Sequence, residues 1–165
     1  MNEPPTPSQS PKALLRHPAG WIASGFGSGF SPRAPGTVGS AAALLPWLWL
    51  RTLPLPFYAL AVVLAFAIGV WASTWVVRRS GVQDPQLVVW DEFVGVWIAL
   101  IAAPAGWLWM LAGFALFRLF DIWKPWPVSW ADQKIHGGLG VMLDDVIAGS
   151  YALLAIQVAA FLIRR

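Results

Sequence analysis

The chain has 165 residues, of which 58% are hydrophobic and 12% are charged. Soluble domains average about 45–50% hydrophobic and about 25% charged residues, so this composition favours a membrane protein. Its 12 tryptophans are typical of a membrane–water interface, and the lack of cysteine excludes disulfides, thiolate–metal sites and cysteine nucleophiles. The net charge of +3 comes from scattered cations, which argues against a nucleic-acid-binding surface.

The N-terminal segment is rich in proline and small polar residues. Residues 1–16 lack the apolar core of a cleavable signal peptide, and they are predicted to form a disordered cytoplasmic tail. The remainder, residues 17–165, has the length of one domain and is predicted to be embedded in the membrane. Insertion then depends on internal apolar segments.

Five apolar stretches follow the tail and predict an all-α, polytopic membrane protein. They run over about residues 38–53, 57–77, 88–103, 107–120 and 141–163. Only the second and the fifth reach the roughly 20 residues that a membrane-spanning helix needs. The other three are short enough to tilt, to thin the bilayer locally or to stop before crossing it.

Proline and glycine mark the turns between these stretches. Pro-Leu-Pro at 54–56 separates the first two, and Pro-Ala-Gly at 104–106 separates the third and the fourth. Because these residues end helices, each pair is predicted to form a short helical hairpin, followed by a C-terminal helix. This topology brings the charged loops 24–40, 78–92 and 118–145 to one membrane face.

The distribution of cations predicts which face that is. Eight of the lysines and arginines fall on the side of the charged loops and three on the other side. The first group is Lys12, Arg16, Arg33, Arg78, Arg79, Arg118, Lys124 and Lys134, and the second is Arg51, Arg164 and Arg165. Because cytoplasmic loops carry an excess of Lys and Arg, the charged loops are predicted to be cytoplasmic, with the C-terminus outside.

Seven of the eight acidic residues lie between Asp84 and Asp145. Five form tight groups at the ends of apolar helices, namely Asp91-Glu92, Asp121 and Asp144-Asp145. A carboxylate beside hydrocarbon is costly and usually has a cation as partner, and oxygen ligands suit a hard divalent ion. Asp84 and Asp132 are instead interpreted as helix N-caps. Because an N-cap needs only one carboxylate, capping does not explain the adjacent pairs Asp91-Glu92 and Asp144-Asp145.

Two further segments indicate phosphate binding. The loop GFGSGFSPRAPGTVGS (25–40) precedes an apolar helix, and its backbone N–H groups together with Arg33 would bind phosphate. The loop contains no Walker motif, so the alternative is a simple re-entrant turn without a ligand. Prolines after Phe120 leave Asp121 and Lys124 at the surface, where Lys124 either binds phosphate or extends to the interface. His136 is a candidate proton donor rather than a metal ligand.

The chain resembles the phosphatidylglycerophosphatase A family in four segments. They are the glycine-rich loop, VVWDEFVG (88–95), FRLFDIWKPWP (117–127) and HGGLGVMLDDVIAG (136–149), and they occur in the family's order. The resemblance implies a magnesium-dependent enzyme of the bacterial inner membrane. Such an enzyme removes the terminal phosphate of phosphatidylglycerophosphate, a membrane lipid, and gives phosphatidylglycerol and inorganic phosphate.

The resemblance also implies that the five clustered carboxylates are functional, and roles are assigned to them as a hypothesis. The predicted Mg²⁺ ligands are Asp91, Asp144 and Asp145. The group predicted to orient the attacking water is Glu92 or Asp121. The predicted phosphate-binding residues are Arg33, Thr37, Ser40 and Lys124. The alternative from another class is a transporter or structural subunit with a carboxylate cation site, although a transporter would place its acidic groups near the bilayer midplane.

Overall fold

The computed structural model describes residues 11–163, which form helices and turns and no strand. The helices are α1 (Pro11–Leu14), α2 (Pro18–Ala23), α3 (Pro35–Leu50), α4 (Leu55–Ser80), α5 (Trp90–Ala99), α6 (Trp107–Trp123), α7 (Val128–Lys134) and α8 (Gly137–Ile163). A short 3-10 turn, Ser28–Phe30, precedes α3. The prediction of an all-α fold is confirmed.

Part of the predicted tail belongs to the helical fold. Residues 1–10 lie outside the described residues, so the prediction of disorder stays a prediction for them. Pro11–Leu14 form α1, and Leu14, which is 1% exposed, belongs to a small apolar cluster with Ala19 and Val76. Helical structure therefore begins before residue 17.

Two helices are long and apolar enough to cross a membrane, α4 with 26 residues and α8 with 27. Across their most apolar 18-residue windows, only 33% of α4 and 28% of α8 is buried. Large side chains such as Leu60, Val63 and Leu154 are more than half exposed. Because a core helix of a soluble protein is mostly buried, these outer faces are suited to an apolar surrounding.

The other three predicted stretches also coincide with helices, but these helices are shorter. α3 has 16 residues, α5 has 10 and α6 has 17. At about 1.5 Å per residue, α5 is about 15 Å long, or roughly half the hydrocarbon thickness of a bilayer. Within residues 11–163, two helices have membrane-spanning length, and they coincide with the two apolar stretches that the sequence predicted to be long enough.

The short helix α5 lies at the centre of the fold. Eight of its ten residues are buried, and it packs against α3, α4, α6 and α8. The indole N–H of Trp97 donates to the carbonyl of Ala43 in α3 at 2.9 Å, and the hydroxyl of Tyr58 in α4 donates to the carbonyl of Trp97 at 2.6 Å. The helices α3 and α4, predicted to pair as a hairpin, therefore pack on α5 rather than along each other.

The second predicted hairpin is present as α5 and α6, joined by the turn at 100–106. The side-chain amide of Gln157 in α8 donates to the carbonyls of Ile101 and Ala102, at 2.9 and 3.3 Å. Backbone carbonyls at a helix end need such partners where water is scarce. The turn is thereby held against α8.

Two glycines set the distance between α5 and α8. A Cβ atom on Gly149 would lie 2.5 Å from the carbonyl oxygen of Gly95, and one on Gly95 would lie 3.1 Å from the carbonyl oxygen of Asp145. Only glycine permits so close a crossing. Asp91-Glu92 and Asp144-Asp145 lie about one turn before this crossing, so the two acidic pairs meet at one end of the fold.

Candidate functional site

One cavity of about 480 Å³ lies among the ends of α3, α5, α6 and α8. Every acidic residue in the described part of the chain lines this acidic cavity: Asp84, Asp91, Glu92, Asp121, Asp132, Asp144 and Asp145. Gly36, Asp84 and Lys124 in its lining come from the three charged loops. The loops therefore converge at one end of the molecule, as the sequence predicted.

Asp91 and Glu92 occupy the first turn of α5, where the helix dipole favours negative charge. One oxygen of Asp91, Oδ1, accepts a hydrogen bond from the backbone N–H of Glu92 at 3.0 Å. Glu92 is 8% exposed, and its Oε2 accepts hydrogen bonds from the Ser40 hydroxyl at 2.5 Å and from the Arg118 guanidinium. Glu92 thus connects α5 to α3 and α6.

Arg118 joins two of the carboxylates that were predicted to be functional. It forms ion pairs with Oε2 of Glu92 and with Oδ2 of Asp121, the second at 2.6 Å. The three side chains are only 11–15% exposed, so little water screens the network. No role at the site was predicted for Arg118, although its spacing of three residues from Asp121 on one helix indicates such a pair.

Asp144 and Asp145 lie about two turns into α8 and are 8% and 3% exposed. Oδ2 of Asp144 accepts a hydrogen bond from the Lys124 ammonium at 3.0 Å, whereas Oδ1 is buried without a partner in the described structure. Asp145 forms no ion pair with any described residue, and Glu92 and Asp91 are close enough for their charges to act on it. Buried like charges of this kind are relieved either by a bound cation or by a shared proton.

Lys124 ends α6 in the left-handed backbone conformation, with φ of 48°. Its ammonium donates to Asp132 at 2.5 Å and to Asp144 at 3.0 Å. Burial alone would lower the pKa of Lys124, but the hydrogen bonds and charges of these two carboxylates outweigh it and raise the pKa above its ordinary value. The side chain therefore remains a cation at the cavity wall.

The residues predicted to bind phosphate are placed differently from one another. Lys124 lines the acidic cavity, whereas Arg33 and Thr37 are exposed and lie outside its lining. Ser40 is buried, and its single O–H lies within hydrogen-bonding distance of Glu92 and of the carbonyl of Gly36, the latter at 2.8 Å. Of these four residues, the fold brings only Lys124 to the cavity surface.

Three residues that were given other roles also line the acidic cavity. Asp84 and Asp132 were interpreted as helix caps, but Val89 and Pro127 are the N-cap residues of α5 and α7, so that interpretation is wrong. Asp132 lies within α7, where it pairs with Lys124. His136 lines the cavity with an exposed side chain, a position compatible with proton transfer.

The carboxylates that line the cavity fit a hard cation, although they are not drawn together around one point. No three His, Cys, Asp or Glu side chains in residues 11–163 form a ready-made metal site. Asp91, Asp144 and Asp145 nevertheless offer only oxygen ligands, and Oδ1 of Asp144 is buried with no hydrogen-bond partner among the described residues. Divalent magnesium prefers this donor chemistry. These three residues are the ones present to hold such an ion.

Fold and cavity together define a class: a helical protein with two helices of membrane-spanning length and one acidic cavity at their common end. The cavity combines oxygen ligands for a cation with an ammonium group for an anion. A divalent ion and a phosphate bound side by side have those requirements.

The family profile described as phosphatidylglycerophosphatase A matches residues 21–160. The chain is 47% identical over 141 residues to phosphatidylglycerophosphatase A of Escherichia coli, covering 84% of this chain and 82% of that protein. It is 43% identical over 147 residues to phosphatidylglycerophosphatase A of Haemophilus influenzae, covering 88% of this chain and 90% of that protein. The chain belongs to the phosphatidylglycerophosphatase A family, and it is an enzyme of the phosphoric monoester hydrolase class.

A third relative has a different name. A Bacteroides thetaiotaomicron protein, provisionally named as a phosphatidylinositol-3-phosphatase, is 48% identical over 151 residues, covering 86% of this chain and 93% of that protein. No solved structure matches the chain. The names agree on phosphate removal from a phospholipid, which decides against the alternative of a transporter or structural subunit.

Proposed function

We propose that this enzyme is a Mg²⁺-dependent phosphatidylglycerophosphatase, which hydrolyses phosphatidylglycerophosphate to phosphatidylglycerol and inorganic phosphate. The observation that carries the proposal is the lining of one cavity by every acidic side chain in residues 11–163, with Lys124 beside them. The names of the Escherichia coli and Haemophilus influenzae relatives support the lipid substrate.

Asp91, Asp144 and Asp145 are the proposed magnesium ligands. Asp144 presents its unbonded Oδ1, and Asp91 and Asp145 form no ion pair with a described cation. When bound, the ion would neutralise phosphate charge and favour ionisation of a coordinated water. It would also offset the repulsion among these carboxylates.

Glu92 and Asp121 are proposed to orient the attacking water. Arg118 contacts one oxygen of each carboxylate, Oε2 of Glu92 and Oδ2 of Asp121, and Ser40 also donates to Oε2. The second oxygen of each carboxylate is left to accept a hydrogen bond from water. Fixing these carboxylates before the substrate arrives reduces the reorganisation that the reaction requires.

Phosphate binding is proposed to centre on Lys124. Its ammonium lies between Asp132 and Asp144, so it is already positioned when a phosphate enters the cavity. Arg33 and Thr37 are proposed to bind phosphate only if the loop that carries them moves, because both lie outside the cavity lining. Ser40 is proposed to act through Glu92 instead of contacting phosphate.

The membrane arrangement is part of the proposal. We place the enzyme in the bacterial inner membrane as a multi-pass protein, with the acidic cavity facing the cytoplasm. The apolar outer faces of α4 and α8 and the excess of Lys and Arg on the side of the charged loops support this orientation. The headgroup would then enter the cavity while the acyl chains stay in the bilayer.

Phosphate release from purified protein tests the activity. We expect hydrolysis of phosphatidylglycerophosphate that disappears with a magnesium chelator and returns when Mg²⁺ is restored. Phosphatidylinositol 3-phosphate and phosphatidic acid should be cleaved at least about tenfold more slowly, a discrimination worth about 1.4 kcal/mol. Full activity with the chelator present, or equal rates on all three lipids, would contradict the proposal.

Accessibility of single cysteines tests the topology. The chain has no native cysteine, so Ser28→Cys, Gly81→Cys and Gln133→Cys each give one thiol. All three are expected to react with a membrane-impermeant reagent from the cytoplasmic side. Thr52→Cys, in the turn between α3 and α4, is the matched control and should react from the opposite side. Labelling of any of the first three only from outside would disprove the arrangement.

A further inference from the structure

A second groove, the cationic groove, lies along α4 and shares no lining residue with the acidic cavity. Its volume is about 460 Å³. Ala67, Val70 and Trp71 line its apolar end, and Trp75, Arg78 and Arg79 line its polar end. Most of these residues recur at intervals of three or four, so the groove follows one side of the helix.

The polar end of this groove carries two arginines in the last turn of α4. Neither Arg78 nor Arg79 forms an ion pair with an acidic side chain in residues 11–163. All the acidic residues in that part of the chain line the other cavity. The two positive charges are therefore available to an anionic ligand.

Aromatic side chains line the cationic groove beside these arginines. The imidazole of His17 stacks on Trp75, with ring centroids 4.3 Å apart and 11° between the planes. The guanidinium carbon of Arg79 lies 5.5 Å from the centroid of the Trp75 ring, and Trp71 is 50% exposed. Indole rings and arginines in this combination are typical of the headgroup level of a bilayer.

We propose that the cationic groove binds a second anionic phospholipid, with its headgroup on Arg78 and Arg79 and an acyl chain along Ala67, Val70 and Trp71. This inference rests on the proposed membrane crossing by α4. Over about 16 Å of helix the groove changes from apolar to cationic, as a phospholipid changes from chain to headgroup. No carboxylate within residues 11–163 lines the groove, so a lipid bound here is held without being hydrolysed.

Native mass spectrometry of the full-length protein in detergent tests this site, with phosphatidylglycerol and phosphatidylcholine as the probes. We expect the wild type to retain phosphatidylglycerol preferentially. Arg78→Gln/Arg79→Gln should weaken its binding about 25-fold, or about fivefold for each arginine. Arg78→Lys/Arg79→Lys keeps the charge and should lose less than about threefold, which separates a binding effect from misfolding.

Arg51→Gln is the matched control, because Arg51 also lies over an indole ring, that of Trp47, at 4.9 Å. The proposal would be overturned by an equal loss of phosphatidylglycerol binding in this control. It would also be overturned if phosphatidylcholine were retained as well as phosphatidylglycerol, or if excess inorganic phosphate displaced the lipid. Hydrolysis of phosphatidylglycerophosphate by Arg78→Gln/Arg79→Gln should stay within about twofold of the wild-type rate at saturating substrate. A loss of hydrolysis together with binding would show that the groove is not a separate site. Failure of the wild type to hydrolyse that lipid would count against the proposed function alone.

Discussion

Asp145→Asn is expected to lower kcat for phosphatidylglycerophosphate about a thousandfold or more while the protein remains folded. The side chain is 3% exposed and has no cationic partner within the described residues, which is the arrangement expected of the proposed Mg²⁺ ligand. Loss of a ligand that supports several kcal/mol of charge stabilisation accounts for this factor. Asp91→Asn should have a similar effect. Phosphate release at saturating Mg²⁺ is the measurement.

Thermal unfolding separates this effect from misfolding. Asparagine keeps the shape of Asp145 but carries no charge, and burial as well as the neighbouring Glu92 and Asp91 disfavour a charge at this position. The melting temperature without added metal should therefore be unchanged or higher. Asp84→Asn is the matched control, because Asp84 lines the same cavity with an exposed side chain; its activity should fall less than about fivefold. Near-normal phosphate release by both Asp145→Asn and Asp91→Asn would refute their assignment as metal ligands.

Hydrophobic patterning predicted much of the helical structure. Each of the five apolar stretches coincides with a helix, because uncharged segments bounded by proline and glycine have few other ways to satisfy their backbone. The pattern did not reveal that α5 stops after ten residues at Ala99, since the apolar run continues to Ala103. The partners of α5 also depend on long-range packing, such as the hydrogen bonds of Trp97 and Tyr58 with α3 and α4.

The acidic cavity was more predictable than the individual contacts within it. Charges disfavoured in the middle of apolar helices lie within about two turns of the helix ends, and the topology brought those ends together. The contacts of Arg118 and Ser40 with Glu92 depend on side-chain directions in three different helices, which spacing along the chain does not give. Asp132 looked like an N-cap in the sequence, but it lies within α7 and pairs with Lys124.

Arg118→Met is expected to reduce the free energy of unfolding by about 3–5 kcal/mol. The guanidinium is the cation that both Glu92 and Asp121 contact, and all three side chains are at most 15% exposed. Removing it leaves the carboxylates of Glu92 and Asp121 without a counter-charge in a site that little water reaches, with the carboxylate of Asp145 nearby. Denaturant unfolding in detergent measures the loss, and Arg51→Met, which removes an arginine from the ring of Trp47, should cost less than about 1 kcal/mol.

A double-mutant cycle distinguishes loss of charge compensation from simple loss of packing. If the cost of Arg118→Met comes from the uncompensated carboxylate, then adding Glu92→Gln should restore about 1–3 kcal/mol, because the neutral amide no longer needs the guanidinium. Arg118→Lys should fall between wild type and Arg118→Met, since one ammonium lacks the planar geometry to serve Glu92, Asp121 and Ser40 together. Strictly additive losses in the cycle would show that Arg118 acts through its volume. The arginine would then not be the counter-charge that allows the acidic residues to gather at one end of so apolar a protein.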